Sequence, residues 1–204
     1  MTSIIPPLYG DGNGIYRVHL VGNCGTGKST LGAHLARALN VPFISLDTLF
    51  WGPNWTVCPP AEFRAKVRTA LQQQGCERGW VVDGKYTRFL NGIVTKQRTD
   101  VIWLDPPLAL YFPRLVWRTV SRLLGFRQPC AAGCRESARE VFFSRRSIMW
   151  WCLSRHWAVR RMETENMRLE GVSEVEGGRM RRIGGWGGEL QQWTRSVEEM
   201  VKTR

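Results

Sequence analysis

At 204 residues, 43% hydrophobic and 23% charged, the chain has the size and composition of one globular domain, which excludes the disordered and fibrous classes. No apolar stretch approaches the roughly 18 uncharged residues that a membrane span needs. The formal net charge is +12, and 24 of the 29 basic residues are Arg. Eleven of those arginines fall between Arg114 and Arg161 with only Glu136 and Glu140 as acids, and the planar guanidinium grips phosphate two oxygens at a time. Such a block suits polyanions: nucleotide phosphates, a phosphorylated substrate or nucleic acid.

Residues 1–14 hold Pro6, Pro7, Asp11 and three glycines but no Arg or Lys. They read as a flexible N-terminus that is neither a signal peptide nor a mitochondrial presequence, so the expected location is cytoplasmic. Six cysteines at irregular spacings then read as reduced thiols. Tyr16 to Val21 alternates and then runs apolar, as a buried strand does. It leads into Gly22-Asn23-Cys24-Gly25-Thr26-Gly27-Lys28-Ser29, a complete G-x-x-x-x-G-K-S phosphate-binding loop. Leu31, Leu35 and Leu39 recur at helical spacing behind it. The glycines let successive N–H groups point at a phosphate, and the helix N-terminus adds its positive dipole. Lys28 is expected to reach the β- and γ-phosphates and Ser29 to ligate Mg²⁺, with Gly22 to Thr30 forming the nucleotide-binding segment.

A short apolar run from Asn40 to Leu46 ends at Asp47. Pro59-Pro60 opens a helix whose Phe63, Val67 and Leu71 share one face. Gly79 to Gly84 is a third strand, stopped by Asp83-Gly84, and Asp100 to Asp105 a fourth, stopped by Pro106-Pro107. Leu108 to Leu124 is helical and basic, with Pro113 inside it, and 125–133 is a loop. A long aromatic and basic helix is expected from about Arg135 to Arg161. Residues 162–178 show no apolar period and read as a flexible connector. A weak fifth strand at 179–183, a Gly-rich turn and a terminal helix from Glu189 to Val201 close the chain. The βαβαβ rhythm with near-continuous apolar strands predicts an α/β domain of three α/β/α layers over residues 15–204, built on a parallel sheet.

Ligands of an open parallel sheet lie beyond the carboxyl ends of its strands, where Asp47, Asp83 and Asp105 all fall. Asp83 is the expected acidic partner of the Mg²⁺ shell beside Ser29. For Asp105, a turn role beside two prolines is sufficient. The Arg-rich stretch 114–161 is the expected lid. Phosphoryl transfer is mostly positioning and charge stabilisation, which makes Arg118, Arg122, Arg135, Arg145 and Arg146 candidates; the adjacent Arg145 and Arg146 cannot both face one site on a helix. Cys130, Cys134, Cys152 and His156 flank this stretch with ligand types that suit zinc, although packing or free thiols account for them more simply. His19 and His34 read as core or surface residues.

The Gly22 to Thr30 loop, Leu46-Asp47-Thr48-Leu49-Phe50-Trp51 with Pro53 and Trp55, Glu62-Phe63, Trp80 to Tyr86, Ile102 to Asp105 and Gly133 to Glu136 together resemble the adenylate-kinase-like P-loop proteins known as DNA topology modulation proteins, relatives of nucleotide and shikimate kinases. The resemblance covers about residues 16–161. It implies a five-stranded parallel sheet of order 2-3-1-4-5. It also implies that Asp47 faces an acceptor pocket walled by Trp51 and Trp55, where it orients or deprotonates an attacking hydroxyl. The family usually has Asn where this chain has Lys85, and the tail after Met162 departs from its pattern. The leading expectation is a phosphotransferase moving the γ-phosphate of ATP, or of another nucleoside triphosphate, to a small hydroxyl- or phosphate-bearing acceptor. The alternative is a nucleotide-regulated protein whose basic, aromatic helix contacts nucleic acid. The chain lacks an Asn-Lys-x-Asp base-recognition motif, which argues against a regulatory GTPase, and lacks the Ser-Gly-Gly signature of ABC-type ATPases.

Overall fold

The computed structural model describes residues 5–126, 133–134 and 147–203. Its elements in chain order are β1 (Tyr16–Gly22), α1 (Lys28–Leu39), β2 (Phe43–Ser45), α2 (Leu46–Phe50), β3 (Trp51–Gly52), β4 (Thr56–Val57), α3 (Pro60–Leu71), β5 (Gly79–Asp83), α4 (Thr87–Leu90), β6 (Asp100–Leu104), α5 (Leu108–Leu123), α6 (Ile148–Glu170), β7 (Met180–Ile183) and α7 (Gly188–Lys202). The main sheet is ordered β2-β5-β1-β6-β7, and every pairing in it is parallel. The labels differ from the 2-3-1-4-5 of the sequence reading because β3 and β4, a two-residue antiparallel pair, are counted here. Taken within the main sheet alone, the five strands stand 2-3-1-4-5.

Strand alternation sorts the core into two faces. Val18 and Leu20 of β1, Val81 of β5 and Ile102 and Leu104 of β6 meet Leu31 and Leu35 of α1 and Trp193 and Val197 of α7. On the opposite face Trp80 and Val82 of β5 pack with Phe63 and Val67 of α3 and with Leu90 of α4. Beside them Val21, Val101, Trp103 and Met180 receive Met167 of α6. The result is three layers, with the carboxyl ends of β1, β2 and β5 opening on the phosphate-binding loop.

Two expectations need correction. Residues 5–10 do not stand free of the fold. Leu8 is buried, and Tyr9 and Gly10 donate their backbone N–H groups to the Asp100 carboxylate at 2.8 and 2.9 Å. Arg181 of β7 completes this knot, reaching Asp100 at 2.8 Å and the Pro6 carbonyl at 2.9 Å. A fully buried carboxylate demands donors, and the N-terminal segment supplies two of them. The stretch 162–178 is not a loose connector either. α6 continues to Glu170, and Gly171 then bridges to Met180 at the start of β7. It shows no apolar period because the residue it buries is charged: the Glu163 side chain is 1% exposed and pairs with Lys85.

Candidate functional site

β1 delivers the phosphate-binding loop at the edge where β6 ends. Gly22 has φ 137°, and a Cβ there would lie 2.5 Å from the Leu104 carbonyl oxygen, so only glycine lets the loop leave the sheet at this point. The loop then closes on itself. Cys24 N–H donates to Asn23 Oδ1 at 2.9 Å, the Thr26 hydroxyl donates to the Asn23 carbonyl at 2.9 Å, and Lys28 Nζ donates to that same carbonyl at 2.8 Å. The Asn23 amide faces outward to Tyr111 of α5 at 2.9 Å and to the Cys152 carbonyl of α6 at 3.1 Å. Tyr111, accepting from Asn23, passes its own proton toward His156 Nδ1 at 2.7 Å. The loop is therefore braced from outside by two helices. Ser29 and Thr30, by contrast, are exposed at the start of α1.

Ser29 Oγ donates to Asp83 Oδ2 at 2.5 Å, joining the first turn of α1 to the end of β5. Burial pushes the Asp83 carboxyl up from its ordinary value, with Lys28 and the Ser29 hydroxyl pulling the other way. A hydroxyl and a carboxylate in contact beside a phosphate-binding loop form the hard-oxygen pair that Mg²⁺ accepts, since it keeps several waters and takes its other ligands from phosphates. These residues fit that ion.

Asp47 does not end a strand. It lies in the first turn of α2, which follows β2 directly. Its Oδ1 accepts a 2.6 Å hydrogen bond from the Tyr86 hydroxyl. Burial, and next the Asp47 charge, raise the Tyr86 phenol above its ordinary value, so it stays protonated and donates. The ring is locked among Phe50 at 4.5 Å and Phe63 at 5.3 Å, while Trp51 and Trp55 meet edge to face at 5.7 Å. Asp47 is close enough to Asp83 and Cys24 to raise both groups electrostatically, so the two aspartates share one site.

Arg118 of α5 acts on the same groups, lowering Asp83, Cys24 and Cys152, and its buried Nε has no hydrogen-bond partner among the described residues. Arg135, Arg145, Arg146 and Cys130 lie outside the described residues. Asp105 takes a structural role, held by Arg182 at 2.6 Å and Arg160 at 3.2 Å. The zinc arrangement does not form among the described residues. Cys134 donates to the Gly52 carbonyl, Cys152 and His156 serve Asn23 and Tyr111, and no three ligating side chains gather. Burial raises the Cys24 thiol and pushes Cys152 up to about 11, so neither is a ready thiolate.

Sequence reasoning missed Tyr86 as the partner of Asp47, although both fall in elements that carry the family resemblance. It also missed Tyr111, which is indistinguishable in sequence from a core aromatic.

No protein-family model matches the chain. Over 115 residues it is 36% identical to a shikimate kinase of Prochlorococcus marinus, a match covering 48% of this chain and 56% of that protein. The chain thus spans little more than half the length of that curated relative. Among solved structures, shikimate kinase from Acinetobacter baumannii in complex with shikimate aligns at a TM-score of 0.51 and 16% identity, over 93% of this chain and 94% of that one. A gluconokinase from Sinorhizobium meliloti aligns at a TM-score of 0.49 and 16% identity, over 93% of this chain and 95% of that one. The alignment with the Acinetobacter enzyme establishes a shared three-layer α/β fold. Among the described residues no helix is long and apolar enough to cross a membrane.

Proposed function

We propose that this protein is a phosphotransferase that moves the γ-phosphate of ATP to a hydroxyl of a small-molecule acceptor, with Mg²⁺ as its metal. The observation that carries the reading is the meeting of Ser29, Asp83 and Asp47 at the mouth of a fully formed phosphate-binding loop. An ATP-binding site needs only the first two; the third supplies a place for an acceptor.

Lys28, now on the Asn23 carbonyl, would turn to the β- and γ-phosphates when ATP enters. Held by Ser29 and Asp83, Mg²⁺ would neutralise charge on those phosphates. Arg118, with a donor that has no partner among the described residues and a field that already reaches Asp83, would stabilise charge on the transferring group, with Arg135 and Arg145 of the basic stretch as further candidates for that role. Asp47 Oδ1 is held by Tyr86, which leaves Oδ2 to accept from the acceptor hydroxyl and hold it in line. The finer placement in the adenylate-kinase-like branch is supported by the Tyr86–Asp47 bond, because it joins the two sequence elements that suggest that branch. A cytoplasmic location suits a consumer of ATP and Mg²⁺.

The test is ADP release by purified protein with ATP and Mg²⁺, first with shikimate and then with pools of small hydroxylated and phosphorylated metabolites, followed by mass detection of new phosphate esters. Acceptor-dependent ADP release that Lys28→Ala abolishes is expected. Asp47→Asn should keep ATP affinity yet lower stimulated turnover by about 10²-fold or more. Stimulated turnover that survives Lys28→Ala would sink the proposal.

A further inference from the structure

β1 carries a histidine where its neighbours are apolar. His19 is 2% exposed and lies on the sheet face opposite Val18 and Leu20, the face that α6 covers. Both ring nitrogens are engaged: Nε2 stands 2.8 Å from the Gly84 carbonyl oxygen, and Nδ1 stands 3.2 Å from an Arg98 guanidinium nitrogen. A guanidinium only donates, so Nδ1 accepts and the single imidazole proton sits on Nε2, donated to Gly84. Arg98 is itself fixed by both carboxylate oxygens of Glu170 on α6, at 2.6 and 2.8 Å.

Gly84 directly follows Asp83. Its N–H makes the last backbone hydrogen bond with β1, to Leu20 at 3.3 Å, and its φ is 118°. Beyond that bond the chain leaves the sheet with no side chain at Gly84 to hold it. On the far side Lys85 binds Glu163 of α6 at 2.7 Å, and Asn166 holds the other Glu163 oxygen at 2.8 Å. Glu163 and Glu170 lie seven residues apart, two helical turns, so one face of α6 anchors both residues that follow Asp83.

Resting on the kinase reading above, we propose that His19 is a positioning residue for the Asp83 carboxylate: it fixes the Gly84–Lys85 peptide, and through Gly84 the end of β5 that carries the Asp83 oxygens, by a hydrogen bond oriented by Arg98 and Glu170. The imidazole carries a proton to Gly84 without bringing the Arg98 charge to the metal site. Burial pushes its pKa down to about 4, so the ring stays neutral across the pH range of an assay. Removing a group bonded directly to a metal ligand typically costs on the order of 10–100-fold in metal affinity, and His19, acting through one further peptide, is expected at the lower end of that range.

The experiment is calorimetric titration of ATP into the full chain, with excess Mg²⁺ and separately with EDTA, for wild type, His19→Leu, His19→Gln and Glu170→Gln. In wild type Mg²⁺ should tighten ATP binding. In His19→Leu that metal-dependent gain should shrink about tenfold while affinity in EDTA changes by less than about twofold. His19→Gln, which can still offer an amide N–H to Gly84, should recover most of it, and Glu170→Gln should lose less than His19→Leu. Equal loss with and without Mg²⁺ in His19→Leu, or an unchanged gain, overturns the proposal. Should His19→Leu fail to fold, Glu170→Gln decides, because Glu170 is 39% exposed and its change leaves the core intact; an unaltered gain there overturns the proposal as well. A wild type whose ATP affinity ignores Mg²⁺ removes the kinase reading, and this inference with it.

Discussion

Lowering the pH is the sharpest probe of the buried network behind the site. Burial drives the His19 pKa from its ordinary 6.5 to about 4, aided by the charges of Arg98 and Lys85 and opposed by the Gly84 carbonyl. The unfolded chain therefore binds the proton first. Folding stability from this group is complete above pH 6.5 and drains away as the pH falls toward 4. At about 1.4 kcal/mol per pH unit, about 3 kcal/mol has gone by pH 4. Against a typical domain stability of about 5–15 kcal/mol that is a large share. The assay is urea unfolding at steps from pH 7.5 to pH 4, run in parallel on wild type and His19→Gln. Gln does not titrate, so its stability falls more slowly, and the gap between the two proteins narrows or reverses as acid is added. Carboxylates titrating in the same window contribute to both curves and cancel in the difference. Parallel curves would show that His19 is not held neutral in the fold, and the assigned tautomer would fall with that.

Three further outcomes can be checked directly. Asp83→Asn should weaken the Mg²⁺ dependence of ATP binding far more than binding in EDTA, read by calorimetry, since its Ser29 contact survives as an amide but its charge does not. Tyr86→Phe deletes one hydroxyl from a packed aromatic cluster, so melting temperature should move little while acceptor-stimulated turnover falls about tenfold. In an Asp47→Asn background the same change should have no further effect if Tyr86 acts through Asp47. Asp100→Asn removes the charge opposite fully buried Arg181 and should cost about 3–5 kcal/mol in chemical unfolding, with residues 5–10 becoming sensitive to protease.

The legible parts of this fold are those where local pattern and tertiary environment agree. β1, the phosphate-binding loop and α1 declare themselves because glycine spacing, strand alternation and helical leucines all fall within 24 residues, and β5 and β6 are apolar but for one terminal aspartate each because both their faces are covered. Strand-end logic places Asp83 beside the phosphate-binding loop, and there its carboxylate accepts from Ser29 Oγ. What sequence could not supply is register between distant segments. Tyr86 reads as another aromatic until the β5 exit is laid beside α2. His19 reads as an ordinary core residue until Arg98, 79 positions away, is seen at its Nδ1. The β3–β4 pair and α2 are too short to give any period.

The misreading of 162–178 has the same origin and points to what fixes α6. A helix without an apolar stripe is expected to be loose, yet α6 buries Glu163 against Lys85 and offers Glu170 to Arg98. Apolar contact anchors its first turns, where Ile148 and Cys152 pack with Tyr111 and Leu115 of α5, but beyond them Met167 is its one residue partly buried against the Val21–Trp103 cluster. Ion pairs of this kind add little net stability, but breaking one in a buried setting costs about 3–5 kcal/mol. Sliding α6 by one turn would strand Glu163 and Lys85 together, and would pull Cys152 from Asn23 of the phosphate-binding loop at the other end. Charge therefore fixes the register of the C-terminal half of a helix whose apolar anchors lie mainly in its first turns. That register brings the brace on the phosphate-binding loop and the brace on the Asp83 segment onto the same rigid element.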